Sequence, residues 1–63
     1  MITIEGINYI NEKEASAKYG LSLAWFRNRR YSEPKMPYHK LNQYVYYNPH
    51  EVDAWFKENF KAL

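Results

Sequence analysis

The chain has no cysteine, only two glycines and three prolines, and no long apolar run. Without cysteine it forms no disulfides, and His39 and His50 alone cannot complete a structural zinc site. No segment approaches the roughly 20 apolar residues that span a bilayer, and the first ten residues lead into charged sequence, unlike a signal peptide. These absences predict a cytoplasmic protein with no metal, no cofactor and no membrane contact.

Aromatic side chains are abundant for a chain of 63 residues, which holds seven Tyr, three Phe and two Trp. A domain this small buries only about 60% of the surface that its unfolded chain exposes. Each buried aromatic side chain removes roughly 150–250 Å² from water, so this set is large enough for a dense miniature core. We therefore expect residues 1–63 to form a single domain.

The first ten residues alternate in the manner of two short strands. The segments Ile2-Thr3-Ile4 and Ile7-Asn8-Tyr9 flank the pair Glu5-Gly6. Gly6 tolerates the positive φ that a tight two-residue turn requires. The pattern predicts a short N-terminal β-hairpin.

Two helix starts carry the sequence of a capping box. Asn11 is followed three residues later by Glu14, and Asn48 is followed in the same way by Glu51, with Pro49 between them. In this motif each side chain accepts a hydrogen bond from a backbone N–H at the other residue. Apolar pairs flank both boxes in hydrophobic-staple positions, namely Ile10 with Ala15 and Tyr47 with Val52. Helices are predicted over residues 12–19 and 49–62.

Another helix start lies between these two, at the N-cap residue Ser22. Gly20 ends the first helix in a left-handed conformation, so only Leu21 precedes the new cap and the chain turns sharply. A short helix, a tight glycine turn and a second helix over residues 23–31 are the parts of a helix-turn-helix motif. A plain helical hairpin is the alternative interpretation of the same pattern.

The second half of the chain predicts a β-hairpin and a scaffold helix. Pro34 and Pro37 interrupt the helical pattern, and strands are predicted on either side of Asn42-Gln43 within residues 38–47, a segment we name the wing. The last helix has a wide apolar stripe at i, i+3, i+4 spacing, which is typical of a packed scaffold. The predicted fold is an α+β winged helix-turn-helix with three helices, a two-stranded wing and a short N-terminal hairpin.

Charge is distributed unevenly along the chain, although its formal net charge is only +2. Residues 18–40 hold six cationic side chains and one glutamate, which gives this third of the chain a net charge of +5. Such asymmetry is typical of proteins that bind a polyanion. A solvated basic face without a partner is the alternative.

The second helix carries the residue types that read duplex DNA. With Phe26 taken as the inward direction, Ala24 and Asn28 point outward, and Arg27 and Trp25 lie on the flanks. A small residue permits close approach to the major groove, Arg27 suits guanine and Asn28 suits adenine. Long apolar stems let Arg29 and Arg30 extend from inward positions to phosphates. The predicted surface thus includes Ser22, Ala24, Trp25, Arg27, Asn28, Arg29 and Arg30.

The wing supplies a second set of candidate contacts, formed by Lys40, Asn42, Gln43 and Tyr44. Lys40 suits a phosphate, and the amides at the tip suit a minor-groove edge. A hairpin that stabilises the fold and touches nothing is the alternative. Alternating tyrosines on these strands suit core packing, and an exposed row of them would also suit the stacking of single-stranded bases.

Catalytic patterns are missing from the sequence. Glu12 and Glu14 lie two positions apart on a helix and do not face each other, and neither histidine has a nucleophile at a recognisable spacing. The chain also has no glycine-rich phosphate loop. We expect no enzymatic activity.

Several short segments, taken in order, resemble the small excisionase-type winged helix proteins of phages and mobile elements, within the wider MerR-like group. The similar segments are Tyr9-Ile10, Lys13-Glu14-Ala15, Tyr19-Gly20-Leu21-Ser22, Trp25-Phe26-Arg27, Pro37-Tyr38, Lys40-Leu41, Val45-Tyr46 and Glu51-Val52-Asp53-Ala54-Trp55-Phe56. They cover roughly residues 9 to 60. Two departures are Arg29, where the family usually has an apolar residue, and Asn42-Gln43, where glycines are common.

The resemblance implies binding of double-stranded DNA through the second helix and the wing, by several cooperating copies. By position, the reading helix would begin at Ser22 and use Ala24, Arg27 and Asn28, with the wing contacts in residues 40–44. The implied role is to direct a recombinase or integrase towards excision or to regulate genes of the element. The alternative is an accessory subunit that docks a replication or recombination protein and contacts single-stranded DNA through its tyrosines.

Overall fold

A four-stranded antiparallel sheet and three helices make up the fold in the computed structural model, which describes residues 1–60. The strands are β1 (Ile2–Ile4), β2 (Ile7–Asn11), β3 (His39–Leu41) and β4 (Tyr44–Tyr47), and the helices are α1 (Glu12–Tyr19), α2 (Leu23–Tyr31) and α3 (Pro49–Asn59). Helix α3 ends earlier than predicted, with Phe60 as its C-cap, and residues 61 and 62 of the predicted helix lie outside the described part. No helix within residues 1–60 is long and apolar enough to cross a membrane.

The sheet has the strand order β1-β2-β4-β3, which differs from the sequence prediction. The sequence predicted a two-stranded wing and a separate N-terminal hairpin, whereas β2 pairs with β4 through Ile10 with Tyr47 and Asn11 with Tyr46. Ile10 and Tyr47 are both buried, so this pairing lies over the core. The coarser prediction of an α+β fold with three helices is confirmed, and the strand arrangement is corrected.

Both hairpins close with two-residue turns, as their registers show. Ile4 pairs with Ile7 around Glu5-Gly6, and Leu41 pairs with Tyr44 around Asn42-Gln43. In the first turn Glu5 and Gly6 have φ values of 51° and 79°, the two positive values that a type I′ turn needs. In the wing Asn42 takes a φ of 57°, which its short polar side chain tolerates better than most.

Local capping explains where α1 and α2 begin and why they meet at a sharp turn. The capping box at α1 is confirmed, because the Asn11 side chain accepts from the Glu14 N–H and Glu14 accepts from the Asn11 N–H. Gly20 ends α1 with a φ of 70°, and Ser22 accepts from the Trp25 N–H at the start of α2. These contacts place α2 directly after α1.

The second predicted capping box, at α3, is wrong, because neither of its two reciprocal hydrogen bonds forms. Asn48 is the N-cap as expected, but its side chain accepts from the His50 N–H. Glu51, which was expected to complete the box, places its carboxylate 2.7 Å from Nε2 of His39 on strand β3. A tertiary partner has therefore replaced the local one, and the contact connects the wing to α3.

The core lies between the helices and one face of the sheet. It consists of Ile10, Ala15, Phe26, Met36, Tyr47, Val52 and Trp55. Both predicted staples contribute to it, and the ring centroids of Phe26 in α2 and Tyr47 in β4 lie 5.4 Å apart. Phe26 therefore marks the buried side of α2, and this orientation decides which other side chains of the helix face solvent.

We expect Glu5→Asn to stabilise the fold. Glu5 holds a left-handed backbone conformation that costs roughly 1 kcal/mol for most residues, and Asn-Gly is the preferred pair in such a turn. Chemical denaturation should show a gain of up to about 1 kcal/mol in unfolding free energy. Glu5→Gln is the matched control, because it removes the same charge without the conformational benefit, and an equal gain from it would contradict this explanation.

We expect the free energy of unfolding to decrease in acid, in part because Glu14 becomes protonated. The backbone N–H of Asn11 and the terminal ammonium of Met1 bind its carboxylate and lower the pKa of Glu14. A lowered folded-state pKa gives stability that is present above the unfolded pKa and is lost as pH falls through the folded one. Unfolding free energy measured from about pH 6 downwards should therefore decline less in Glu14→Gln than in the original chain. Glu58→Gln, on an exposed residue of α3, should leave the decline unchanged.

Candidate nucleic-acid interface

An open cleft of about 680 Å³ separates α2 from the wing. We name it the α2–wing cleft. Its walls are α2, the wing and the first turn of α1, and its lining is Asn11, Glu12, Lys13, Leu23, Arg27, Arg30, Tyr31, Lys40, Gln43, Tyr44, Val45 and Tyr46. Because β2 runs directly into α1 and pairs with β4, the pairing of the sheet brings these segments together.

The lining of the α2–wing cleft is strongly basic. Lys13, Arg27, Arg30 and Lys40 contribute four positive charges, against the single carboxylate of Glu12. Lys13, Arg27 and Lys40 are exposed, and they come from three different elements. Cationic side chains that converge on an open cleft create a local positive potential that attracts polyanions.

The outer surface of α2 is small and polar, as the sequence predicted. Ala24, Arg27, Asn28 and Tyr31 are all exposed, and at 100° per residue they fall within a sector of about 100° on one side of the helix. Arg27 and Tyr31 line the cleft, whereas Ala24 and Asn28 lie beside them on the same surface, outside its lining. Ser22, at the start of this surface, is exposed and engaged as the N-cap.

The predicted wing residues occupy the opposite wall. Lys40, Gln43 and Tyr44 line the α2–wing cleft, and Tyr44 is 58% exposed. Asn42 is exposed at the tip of the wing. The structure thus brings these four candidates to the side of the molecule that also carries Arg27.

Arg30 is not exposed, which corrects the expectation that its guanidinium extends to the helix edge. The side chain is only 9% exposed, and its Nε lies 3.1 Å from Oε2 of Glu12 without an aligned hydrogen bond. The rings of Tyr31 and Tyr38 lie 5.3 and 5.7 Å from its guanidinium carbon, close enough for cation–π attraction. Arg30 lies on the inward side of α2, so its side chain stays beneath the cleft, where the carboxylate of Glu12 compensates its charge.

Glu12 also accepts a hydrogen bond from the hydroxyl of Tyr47, at 2.9 Å. Burial, together with this bond and the charge of Glu12, raises the pKa of the Tyr47 hydroxyl far above its ordinary value, so the group remains a donor. The carboxylate therefore contacts α2 through Arg30 and β4 through Tyr47. We name these three residues the Glu12 network.

Arg29 is turned away from the α2–wing cleft, so its predicted phosphate contact is also unsupported by its position. It is half-buried, and its guanidinium lies 3.4 Å from the backbone oxygens of Glu33 and Pro34. Its own carbonyl accepts from the N–H of buried Met36. Arg29 thus contacts the connection between α2 and the wing. The sequence pattern did not predict this contact, because Arg29 lies in an arginine-rich run that is typical of phosphate binding.

Trp25 is packed into the scaffold, which corrects its placement on the DNA-reading surface. Its ring stacks on Phe56 of α3 at 5.8 Å and lies 5.1 Å from Phe26 and 6.0 Å from Trp55. Aromatic pairs at these separations contribute beyond simple burial. The side chain holds α2 against α3.

Lys13 and Tyr31 line the α2–wing cleft although neither was among the predicted site residues. Tyr31 is 67% exposed and lies on the same side of α2 as Ala24, so helical spacing alone was sufficient to include it. Lys13 offered no such signal, because only the β2–β4 pairing places the first turn of α1 beside the wing. Within residues 1–60 no group of three or more His, Asp or Glu side chains is placed to hold a metal ion.

The arrangement as a whole suits binding of a polyanion. It presents exposed cations around a cleft, a small polar helix surface beside it and amide side chains at the wing tip. Comparison with known proteins adds no assignment, since no family model, curated protein or solved structure matches the chain.

Proposed function

We propose that the chain binds double-stranded DNA, with α2 in the major groove and the wing at the adjacent minor groove. The observation that carries this proposal is the convergence of Lys13, Arg27 and Lys40 on the cleft between those two elements. In duplex DNA one sugar–phosphate strand separates a major groove from the next minor groove. That strand would lie in the α2–wing cleft when both elements are engaged.

The polar surface of α2 supports base reading beside this phosphate track. The major groove is about 12 Å wide and admits one α-helix. Ala24 leaves room for close approach, and Asn28 has the amide geometry that matches the major-groove edge of adenine. Arg27 borders the cleft, which favours a phosphate contact over the base contact that its residue type first suggested.

In biological terms, we propose an excision factor or transcriptional regulator of a mobile genetic element. The support for this finer assignment is the resemblance of the ordered segments described above. Cooperating copies on DNA and a recombinase or integrase as partner belong to the same proposal. An adjacent integrase gene would favour the excision role.

Salt dependence of duplex binding tests the phosphate track. Three exposed cations that contact phosphates predict that log K falls with log salt concentration at a slope of about −3. Arg27→Ala, Lys40→Ala and Lys13→Ala should each make the slope shallower by about 0.9 and weaken all duplexes alike. Fluorescence anisotropy with labelled duplexes at several salt concentrations measures both effects.

Lys57→Ala is the matched control for these variants, because it removes one exposed cation from α3, outside the cleft. We expect it to leave the slope unchanged. An equal effect from Lys57→Ala would show that binding follows net charge and not this cleft, and would count against the proposed geometry.

Asn28→Ala tests base reading separately. The variant should lower preference for a duplex selected by the original chain from a random pool, by about 1–3 kcal/mol relative to a scrambled duplex. It should leave the salt slope intact, since Asn28 carries no charge. Arg27→Ala serves as the comparison, and equal loss of preference from both variants would reject the separation of roles.

A protein-interaction role is the second candidate, and the apolar face of the sheet favours it. Ile2, Ile4, Tyr9, Leu41 and Tyr46 line, with His39 and Lys40, a pocket of about 160 Å³ on the side turned away from the core. The role would be that of an accessory subunit in a replication or recombination complex, with single-stranded DNA contacted by tyrosines. Absence of duplex affinity at low salt would support this candidate over the first.

A further inference from the structure

We infer that Glu12 is a positioning residue that sets the angle between α2 and the wing. This inference rests on the proposed function, because that angle matters when both elements engage one duplex. The Glu12 carboxylate contacts Arg30 of α2 and Tyr47 of β4, and Glu12 itself begins α1. One side chain thus connects the helix, the wing and the segment that carries Lys13.

The surroundings of Arg30 show why it acts through Glu12 and does not reach DNA. Its Nε is buried, and its guanidinium carbon lies 5.3 and 5.7 Å from the ring centroids of Tyr31 and Tyr38. Moving the guanidinium to a phosphate would leave the carboxylate of Glu12, which is only 17% exposed, without its cationic partner. An uncompensated buried charge is strongly unfavourable, so Arg30 stays beneath the cleft.

Tyr47 makes the connection rigid. Its side chain is fully buried, its backbone pairs with Ile10, and its ring contacts Phe26. The hydroxyl therefore reaches Glu12 from a fixed position in β4. Binding constellations need their parts held within about 0.5 Å of the productive geometry, and a contact between two rigid elements provides that restraint.

The restraint is measurable without DNA. The chain has no cysteine, so Asn28→Cys and Gln43→Cys place one spin label on α2 and one on the wing. Dipolar spectroscopy then gives the distribution of distances between α2 and the wing. The double variant Glu12→Gln/Arg30→Met removes both buried charges together and keeps similar side-chain volumes, a change that buried ion pairs often tolerate. We expect the distance distribution to broaden while the thermal unfolding transition remains cooperative.

Tyr47→Phe is the milder variant, because it keeps the buried ring and removes only the hydrogen bond to Glu12. It should broaden the distribution less than the double variant does. Tyr19→Phe is its matched control, because it also removes a hydroxyl that donates to a carboxylate, that of Asp53, and Tyr19 lies outside both the cleft and the Glu12 network. We expect no broadening from the control.

Duplex binding by the same Glu12, Arg30 and Tyr47 variants, made without the two label sites, gives the functional result. The double variant should discriminate between selected and scrambled duplexes about tenfold less well, a loss of about 1.4 kcal/mol. The salt slope should stay unchanged, because Lys13, Arg27 and Lys40 remain. A slope shallower by about 0.9 would instead show that Arg30 contacts a phosphate and would overturn the inference.

Two further outcomes separate this inference from the proposed function. The double variant could show a lower melting temperature with unchanged label distances and unchanged discrimination between duplexes. This result would show that the Glu12 network only stabilises the fold, and it would overturn the inference. Failure of the original chain to bind any duplex at low salt would overturn the proposed function. In that case the label distances would still decide whether Glu12 positions the wing.

Discussion

The pairing of β2 with β4 is the constraint on which the rest of the structure depends. It places buried Tyr47 against Ile10 and Phe26, joins the two hairpins into one sheet and brings the first turn of α1 beside the wing. In a chain of 63 residues few contacts are available to fix such an arrangement. Tyr47 combines three of them, because its backbone, ring and hydroxyl each contact a different part of the fold.

The arginines of α2 differ in role because the helix has one buried side. Arg27 faces the open cleft, Arg29 contacts the backbone of the following connection, and Arg30 is paired beneath the surface. The same guanidinium group thus serves as an exposed cation, a loop contact and a buried ion-pair partner. Solvent access and the nearest acceptor decide between these roles, since burial of a charge requires compensation.

Contacts within a few residues were the most predictable part of this protein. Asn11, Glu14, Ser22 and Gly20 adopt the predicted local geometry, because their partners lie no more than four residues away. Glu51 shows the limit of such reasoning. Its expected local partner was the Asn48 N–H, but its carboxylate contacts His39 of the wing instead. A pattern along the sequence does not show that these two residues meet.

The amino-acid sequence by itself determined the helix starts, the two hairpin turns and the basic, small and polar character of α2, because these depend on neighbours along the chain. Only the tertiary structure decided that the hairpins share one sheet, that Lys13 faces the wing and that Arg30, Arg29 and Trp25 turn from the predicted surface. The physical reason is that a long side chain can reach several alternative partners that are far from it in the sequence. That choice is made by packing and compensation of charge, which act only after the elements have met.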